Sequence, residues 1–429
     1  MLETPKGTRD ILPEDMIFRE EIIQRIIKIF SAYGFQPLQT PALENWDTLA
    51  AKGAGGQEIL KETYNFEDKG GRRIGLRYDL TVPLARVMAS NPNLSLPFKR
   101  YQIEKVWRYG DIGRDRFREF LQCDIDTIGS EDVIADAEII ACAISVFSNL
   151  GFKKFSVKLN NRKILSALVE YSGIKKEKEF DVLKSIDKFA KTGLSNVKKE
   201  LLEKGFPKNS VEKILELIQV KSKDSLSKLE KMIGNISSGK EGIEELRQIV
   251  SCLEKFGVKS NFEVDLSLAR GLEYYTGPIF EVTAEEGIGS IAGGGRYDKM
   301  IGMFSKRDIP ATGISIGIER VLEVMKDQKM FVSRKSKVKV FVAYMNEAKE
   351  YALNLVEKLR NNFIPTDFDL KNRNLSRQLE YADSSGIPYV IVIGPKEMKA
   401  KMVRLKDMKN RKENDVSIND LMKILKNSD

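Results

Sequence analysis

Residues 105–126 read KVWRYGDIGRDRFREFLQCDID, and with the residues before them, from 98, they spell two strands joined by a polar turn, GDIGRD. Side chains alternate faces along a strand, so Arg116, Arg118, Phe120, Gln122, Asp124 and Asp126 fall on one side. Phe117, Leu121, Cys123 and Ile125 fall on the other, with Glu119 the one polar exception. In an isolated edge strand the polar side would simply face solvent. The preceding strand argues otherwise, because it carries Arg108 on a face shared with Arg100, Gln102 and Glu104. Two neighbouring strands presenting Arg108, Arg116, Gln122 and Asp126 predict the floor of a polar site on an antiparallel sheet.

Four further segments add to that floor. RYDLTVPLAR at 77–86 spaces Asp79 and Thr81 two apart, so they share one face of any strand there; Pro83 breaks the ladder, and a helix is expected to follow. LARGLEYYTG at 268–277 sets Arg270 among small and apolar neighbours, followed by Tyr274 and Tyr275. AGGGRYDKMIG at 292–302 is glycine-dense, a pattern that marks either tight strand packing or phosphate contact, and it contains Tyr297. TGISIGIER at 312–320 reads as a strand running into a helix that begins near Arg320. Arg108, Arg116, Arg270 and Arg320 thus come from separate segments. Guanidinium groups offer planar paired donors that never lose their charge, so such a set suits a polyphosphate. No GxxxxGK[ST] is present, which excludes a P-loop.

Composition narrows the chemistry. Among 429 residues there is no histidine, which removes imidazole bases, serine–histidine and cysteine–histidine catalysis, and histidine-containing zinc sites. The three cysteines, Cys123, Cys142 and Cys252, are too few and scattered for a disulfide framework or an all-cysteine metal site, so no metal-ligating set is expected. The hydrophobic share is 42%, enough for packed cores in roughly two to three domains at about 150 residues each. No apolar run reaches the roughly 18 residues of a membrane span, and MLETPKGTRD carries no hydrophobic leader, so a cytoplasmic protein is expected.

Along the chain, residues 17–30 and 131–149 have helical periodicity. Between 160 and 260 the sequence turns into successive amphipathic-helix patterns, the signature of a helical insertion. From about 334 short β runs (VKVFVAY, PTDFDL, PYVIVIG) alternate with helix patterns, the rhythm of a small α/β domain. That tail holds 20 basic and 13 acidic residues, most of the chain's net charge of +9. Its segment 396–412 is either a solvated basic hairpin or a nucleic-acid surface. The expected organisation is a catalytic core at 1–160 and 261–326, a helical insertion at 161–260, a linker at 327–334 and an α/β domain at 335–429.

KGTRDILPEDM (6–16), RYDLTVPLAR, the 105–126 segment, LARGLEYYTG, GGGRYD and GISIGIER together resemble the histidyl-tRNA synthetases, a family of class II aminoacyl-tRNA synthetases. RGLEYYTG is the most family-specific of these; the arginine segments alone indicate only class II. The resemblance implies an α+β fold: a class II core with an antiparallel sheet flanked by helices, the insertion, and a C-terminal anticodon-binding α/β domain. It implies a homodimer whose interface involves the 17–30 helix and the extended stretch after it. It also implies ATP as substrate, with Mg²⁺ carried on it, L-histidine, and tRNA-His as the nucleic-acid partner.

The resemblance further implies roles. Arg108, Arg116 and Arg320 would grip ATP, with Arg116 close to phosphate or the tRNA end. Arg270 would sit beside the amino-acid carboxylate and the α-phosphate, making Arg108, Arg116 and Arg270 the catalytic set. Asp79, Thr81 and Gln122 would hold the α-amino group, Asp126 and Tyr275 would read the imidazole, and Tyr274 and Tyr297 would line the pocket. Arg114 and Arg116 in the turn would meet tRNA phosphate. Where the second class II motif often carries an acid that reads adenine, two residues after its arginine, this chain has Gly110, followed by Asp111. The family also includes a non-catalytic paralogue, a regulatory subunit of ATP phosphoribosyltransferase, which needs neither Arg270 nor an anticodon domain.

Overall fold

The computed structural model describes residues 2–51, 56–219, 225–271, 274–284, 289–305, 307–330 and 334–427. The chain divides into two compact units, Met1–Arg9 with Gln24–Met330, and Asp10–Ile23 with Phe331–Asp429.

The first unit is built on an eight-stranded sheet. In chain order the unit's strands are β1 (Gln36–Pro37), β2 (Leu43–Asn45), β3 (Asn65–Glu67), β4 (Arg73–Leu76), β5 (Phe98–Trp107), β6 (Glu119–Ile128), β7 (Phe155–Asn161), β8 (Phe262–Val264), β9 (Pro278–Ala284), β10 (Ser290–Arg296) and β11 (Ala311–Gly317). The large sheet has the order β1-β5-β6-β11-β10-β9-β7-β8, and β2-β4-β3 form a small separate sheet. Only the outermost pairs, β1–β5 and β7–β8, are parallel; the six central strands are antiparallel as expected.

Alternation along β6 decides which side is dry. Cys123 and Ile125 are fully buried, and the helix Ile134–Asn149 packs against β6 and β11. That helix is apolar nearly all round (Ala137, Ile139, Ile140, Cys142, Phe147), as a helix buried on several sides must be. After β7 ends at Asn161, the described residues of the 160–260 block form successive helices joined by short turns, from Arg162–Tyr171 to Ser237–Lys255. The last of these helices lies along Arg162–Tyr171 and Ile134–Asn149, so the block shares its apolar faces with the sheet's own helical layer.

The second unit carries β12 (Val340–Tyr344), β13 (Thr366–Phe368), β14 (Tyr389–Ile393), β15 (Met402–Asp407) and β16 (Lys412–Ser417) in the order β13-β12-β14-β15-β16. Val340, Val342, Leu355, Leu359, Ile391, Leu421 and Leu425 form its main core. The basic 396–412 segment is a short helix, Pro395–Ala400, and the β15–β16 hairpin. Two of its cations are neutralised inside that segment's own unit: Arg404 by Asp415 at 3.0 Å and Lys406 by Glu413 at 2.7 Å. Lys396, Lys399, Lys401, Lys409, Arg411 and Lys412 are exposed.

Candidate active site

Register brings the polar groups together. The β5–β6 pairing sets Arg100 opposite Asp126, and β11 places Gly313 beside Asp126 from the other side. Arg100 and Asp126 form an ion pair at 2.8 Å with both side chains almost wholly buried. The Tyr297 hydroxyl donates to the other Asp126 carboxylate oxygen. A Cβ at Gly313 would fall 2.0 Å from Asp126 Oδ1, so only glycine leaves room for this arrangement. Burial pushes the Asp126 carboxyl up from its usual range, with Arg100 and Tyr297 pulling it back.

Gln122, four residues before Asp126 on β6, donates to Ser315 Oγ at 2.5 Å and turns its carbonyl oxygen toward Arg108 Nη2 at 3.4 Å. Arg108 lies over the Tyr78 ring, 4.2 Å from its centre, and donates to the Tyr78 carbonyl at 3.1 Å. Residues 77–81 form no strand. Asp79 instead caps the helix Thr81–Ser90, its Oδ1 accepting the Thr81 N–H at 3.1 Å and the Val82 N–H at 3.0 Å. The short-range carboxylate-to-N–H bonds outcompete strand pairing, and Pro83 sits in the first turn, where its missing N–H costs nothing.

The other end of the cavity is cationic. Arg270 donates to Glu281 Oε2 at 2.5 Å and to Ser290 Oγ at 3.2 Å. A Cβ at Gly293 would lie 2.0 Å from Arg270 Nη1, and one at Gly294 2.0 Å from the Gly313 carbonyl. The glycine run thus admits an arginine at its first position and serves strand packing at its second. Arg320 donates to the Ser290 carbonyl at 2.6 Å and pairs with Asp115 at 3.1 Å. Burial pulls its proton affinity down, and repulsion from Arg116, Arg270 and Arg108 adds to this, with Asp115 opposing. Cations crowded until they repel one another make a site that a polyanion stabilises.

Asp79, Thr81, Arg108, Arg116, Gln122, Asp126, Arg270, Tyr274, Tyr275, Tyr297 and Arg320 all line this single cavity of about 580 Å³. The Tyr274 and Tyr275 rings pack against each other with centres 4.3 Å apart. Two sequence expectations need correction. Arg116 lies in the bend before β6, bridged to Gly113, and not on the strand itself. Arg118 lies away from the cavity, its guanidinium 3.7 Å over the Tyr109 ring. Arg114 of the turn is engaged by Glu323 at 3.3 Å and Asp327 at 2.5 Å. Among the described residues no group of three or more Cys, Asp or Glu side chains could hold a metal ion.

Residues that sequence reasoning missed include Arg100 as partner of Asp126, Glu281 as partner of Arg270, and Ser315. Arg100 was readable from the facing strand's polar side; the other two lie on strands whose neighbours the sequence does not announce.

Asp124, beside this network, is pushed up to about 7 by burial, against the pull of Arg100. The unfolded carboxyl ionises near 4, so the folded chain keeps a proton that the unfolded chain has lost between about pH 4 and 7, and stability falls as pH rises through that window. Asp124→Asn should lack that component. Urea midpoints at pH 5 and pH 8 check it: the drop is expected to be smaller in the variant than in the parent.

The histidyl-tRNA synthetase family profile matches residues 7–321, and the anticodon binding domain profile matches residues 339–428. The chain belongs to the histidyl-tRNA synthetase family. A histidine–tRNA ligase of Aeropyrum pernix is 40% identical over 92% of this chain and 90% of its own length. Histidine–tRNA ligase 1 of Bacillus cereus is 37% identical over 98% of this chain and 96% of its own. The crystal structure of histidyl-tRNA synthetase from a Nostoc species superposes with a TM-score of 0.89 at 30% identity, covering 99% of both chains. The large antiparallel sheet and the C-terminal sheet-and-helix unit are the family's class II core and anticodon-binding fold. A Bacillus halodurans structure described as an ATP phosphoribosyltransferase regulatory subunit/histidyl-tRNA synthetase has a TM-score of 0.78 at 23% identity, a likeness of fold alone.

Proposed function

We propose that this chain activates L-histidine with ATP, releasing pyrophosphate, and transfers the histidyl group to the 3′ end of tRNA-His. One observation carries the reading: a single cavity gathers Arg108, Arg116, Arg270 and Arg320, crowded enough that Arg320 is repelled by the other three, together with a buried carboxylate, Asp126, held by Arg100 and Tyr297. A triphosphate fits the arginines and an imidazole N–H the carboxylate.

In the first step the histidine carboxylate attacks the α-phosphorus. That carboxylate is already anionic at pH 7, so a chain without histidine needs no general base. Catalysis rests on alignment and on neutralising charge at the phosphate. Arg108 and Arg320 hold phosphate, with Arg116 at the loop side; Arg270 bridges the carboxylate and the α-phosphate. Asp79, Thr81 and Gln122 take the α-amino group, and Asp126 with Tyr275 reads the ring, walled by Tyr274 and Tyr297. Mg²⁺ arrives on ATP and is bound mainly by phosphate and water. In the second step a terminal ribose hydroxyl of the tRNA attacks the activated carbonyl.

The catalytic core occupies 1–160 and 261–326, with the insertion at 161–260, a linker at 327–334 and the anticodon domain at 335–429, whose exposed hairpin lysines suit tRNA phosphates. The chain works as a cytoplasmic homodimer; among the described residues no helix is long and apolar enough to cross a membrane. The reading is tested by charging a tRNA-His transcript and an unrelated tRNA with labelled histidine. Ester formation on tRNA-His alone is expected, and none on either would overturn it.

Gly293→Ala gives a narrower test. The added methyl collides with the Arg270 guanidinium, so a loss of about 10²-fold in adenylation is expected from displacement of a charge-stabilising donor. Stopped-flow adenylate formation, with thermal unfolding as the fold control, measures it.

A further inference from the structure

Among the carboxylates that line the cavity, Glu62 is one that the reading above leaves without a task. Glu62, the last residue of the helix Gly56–Glu62, lines the same cavity as the arginines. Its Oε2 accepts the Tyr78 hydroxyl at 2.9 Å, and its backbone carbonyl accepts the Tyr109 N–H at 2.7 Å, which ties it to the start of the 109–118 turn. No lysine or arginine among the described residues closes an ion pair with it. Its Oε1 faces Gly110: a Cβ built there would stand 3.6 Å from that oxygen, in ordinary contact. Since Gly110 has no side chain, the space above it belongs to the Glu62 carboxylate.

An ionised carboxylate only accepts hydrogen bonds, and in a pocket for a polyanion it raises the binding cost unless it meets a donor. ATP carries few donors: the 6-amino group of its purine and the ribose hydroxyls. We propose that Glu62 accepts a hydrogen bond from the purine 6-amino group, in the space left by Gly110, and so selects ATP by its base. This rests on the adenylation reading above. Glu62 is then a specificity residue that approaches the base from a helix outside the 105–126 segment.

The test is histidine-dependent pyrophosphate exchange with ATP, with purine riboside triphosphate (hydrogen in place of the 6-amino group) and with 2′-deoxy-ATP. The parent protein is expected to prefer ATP over the 6-hydrogen analogue by about tenfold or more in kcat/KM, the scale of a hydrogen bond to a charged group. Glu62→Ala should bring the two within about twofold by slowing ATP alone. Glu62→Gln, which keeps a neutral acceptor, should recover part of the preference. Tyr78→Phe, which removes the hydroxyl but leaves the carboxylate, should retain it.

A uniform fall with both nucleotides in Glu62→Ala would mean that Glu62 only positions Tyr78, and would overturn the proposal. A collapse of the 2′-deoxy preference in its place would assign the carboxylate to the ribose and overturn it equally. Absence of exchange in the parent protein would instead overturn the adenylation reading, so the two failures are distinct.

Discussion

Arg270→Ala lowers the rate of histidyl-adenylate formation by about 10²–10³-fold, the usual cost of deleting one donor aimed at charge that develops in the transition state. The loss falls mainly on kcat. On the proposed roles Arg108, Arg116 and Arg320 still hold the triphosphate, so the KM for ATP is expected to move far less. Geometry makes the effect large for a second reason. Arg270 is paired with Glu281 at 2.5 Å, and its removal leaves that carboxylate facing the phosphates without its counter-ion. The double variant Arg270→Ala, Glu281→Gln is therefore expected to regain part of the loss. Arg270→Lys should fall between, since an ammonium is a point charge and lacks the planar fork that reaches Glu281 and a phosphate oxygen together. Single-turnover adenylate formation separates these cases. A kcat unchanged in Arg270→Ala would remove Arg270 from the chemistry.

Asp126→Asn raises the KM for histidine by about 10²-fold or more while the KM for ATP stays within a few-fold. A site built to pair a substrate N–H discriminates strongly because its own buried polar groups go unpaired when the partner is wrong. Asparagine keeps the volume but replaces one acceptor oxygen by an NH₂ group, which can face neither Arg100 nor an imidazole N–H. Breaking a buried ion pair also costs about 3–5 kcal/mol of stability because it strands a charge, here Arg100. The split between the two KM values, read on protein shown to be folded by its thermal transition, distinguishes lost recognition from lost structure. Equal rises in both would make Asp126 a structural residue only.

Much of this site was legible because strand alternation is local. Gln122, Asp124 and Asp126 could be set on one face from spacing alone, and Arg108 and Arg100 followed from the neighbouring strand. The run from β11 into the helix bearing Arg320 was readable for the same reason. The Asp79 cap was not legible because two residues apart looks the same in a strand and at a helix start; only the capping bonds to Thr81 and Val82 decide between them. The pairing of β6 with β11, which brings Gly313 and Ser315 to Asp126 and Gln122, joins segments nearly 190 residues apart, and no local pattern announces it. Likewise the glycine run at 293–295 showed that something comes close, but only the fold shows that the visitor at Gly293 is Arg270. Glu62, on a short helix with one side-chain hydrogen bond, carried no signal at all.

The most direct measurement is ATP–pyrophosphate exchange on the purified chain without tRNA, run with each of the twenty amino acids. Exchange with histidine alone is the predicted result, because it requires both the arginine end and the Asp126 end of one cavity to act on the same substrate pair. Exchange with a different amino acid would contradict the imidazole assignment of Asp126 and Tyr275, and no exchange with any of the twenty would contradict the account of the cavity as a whole.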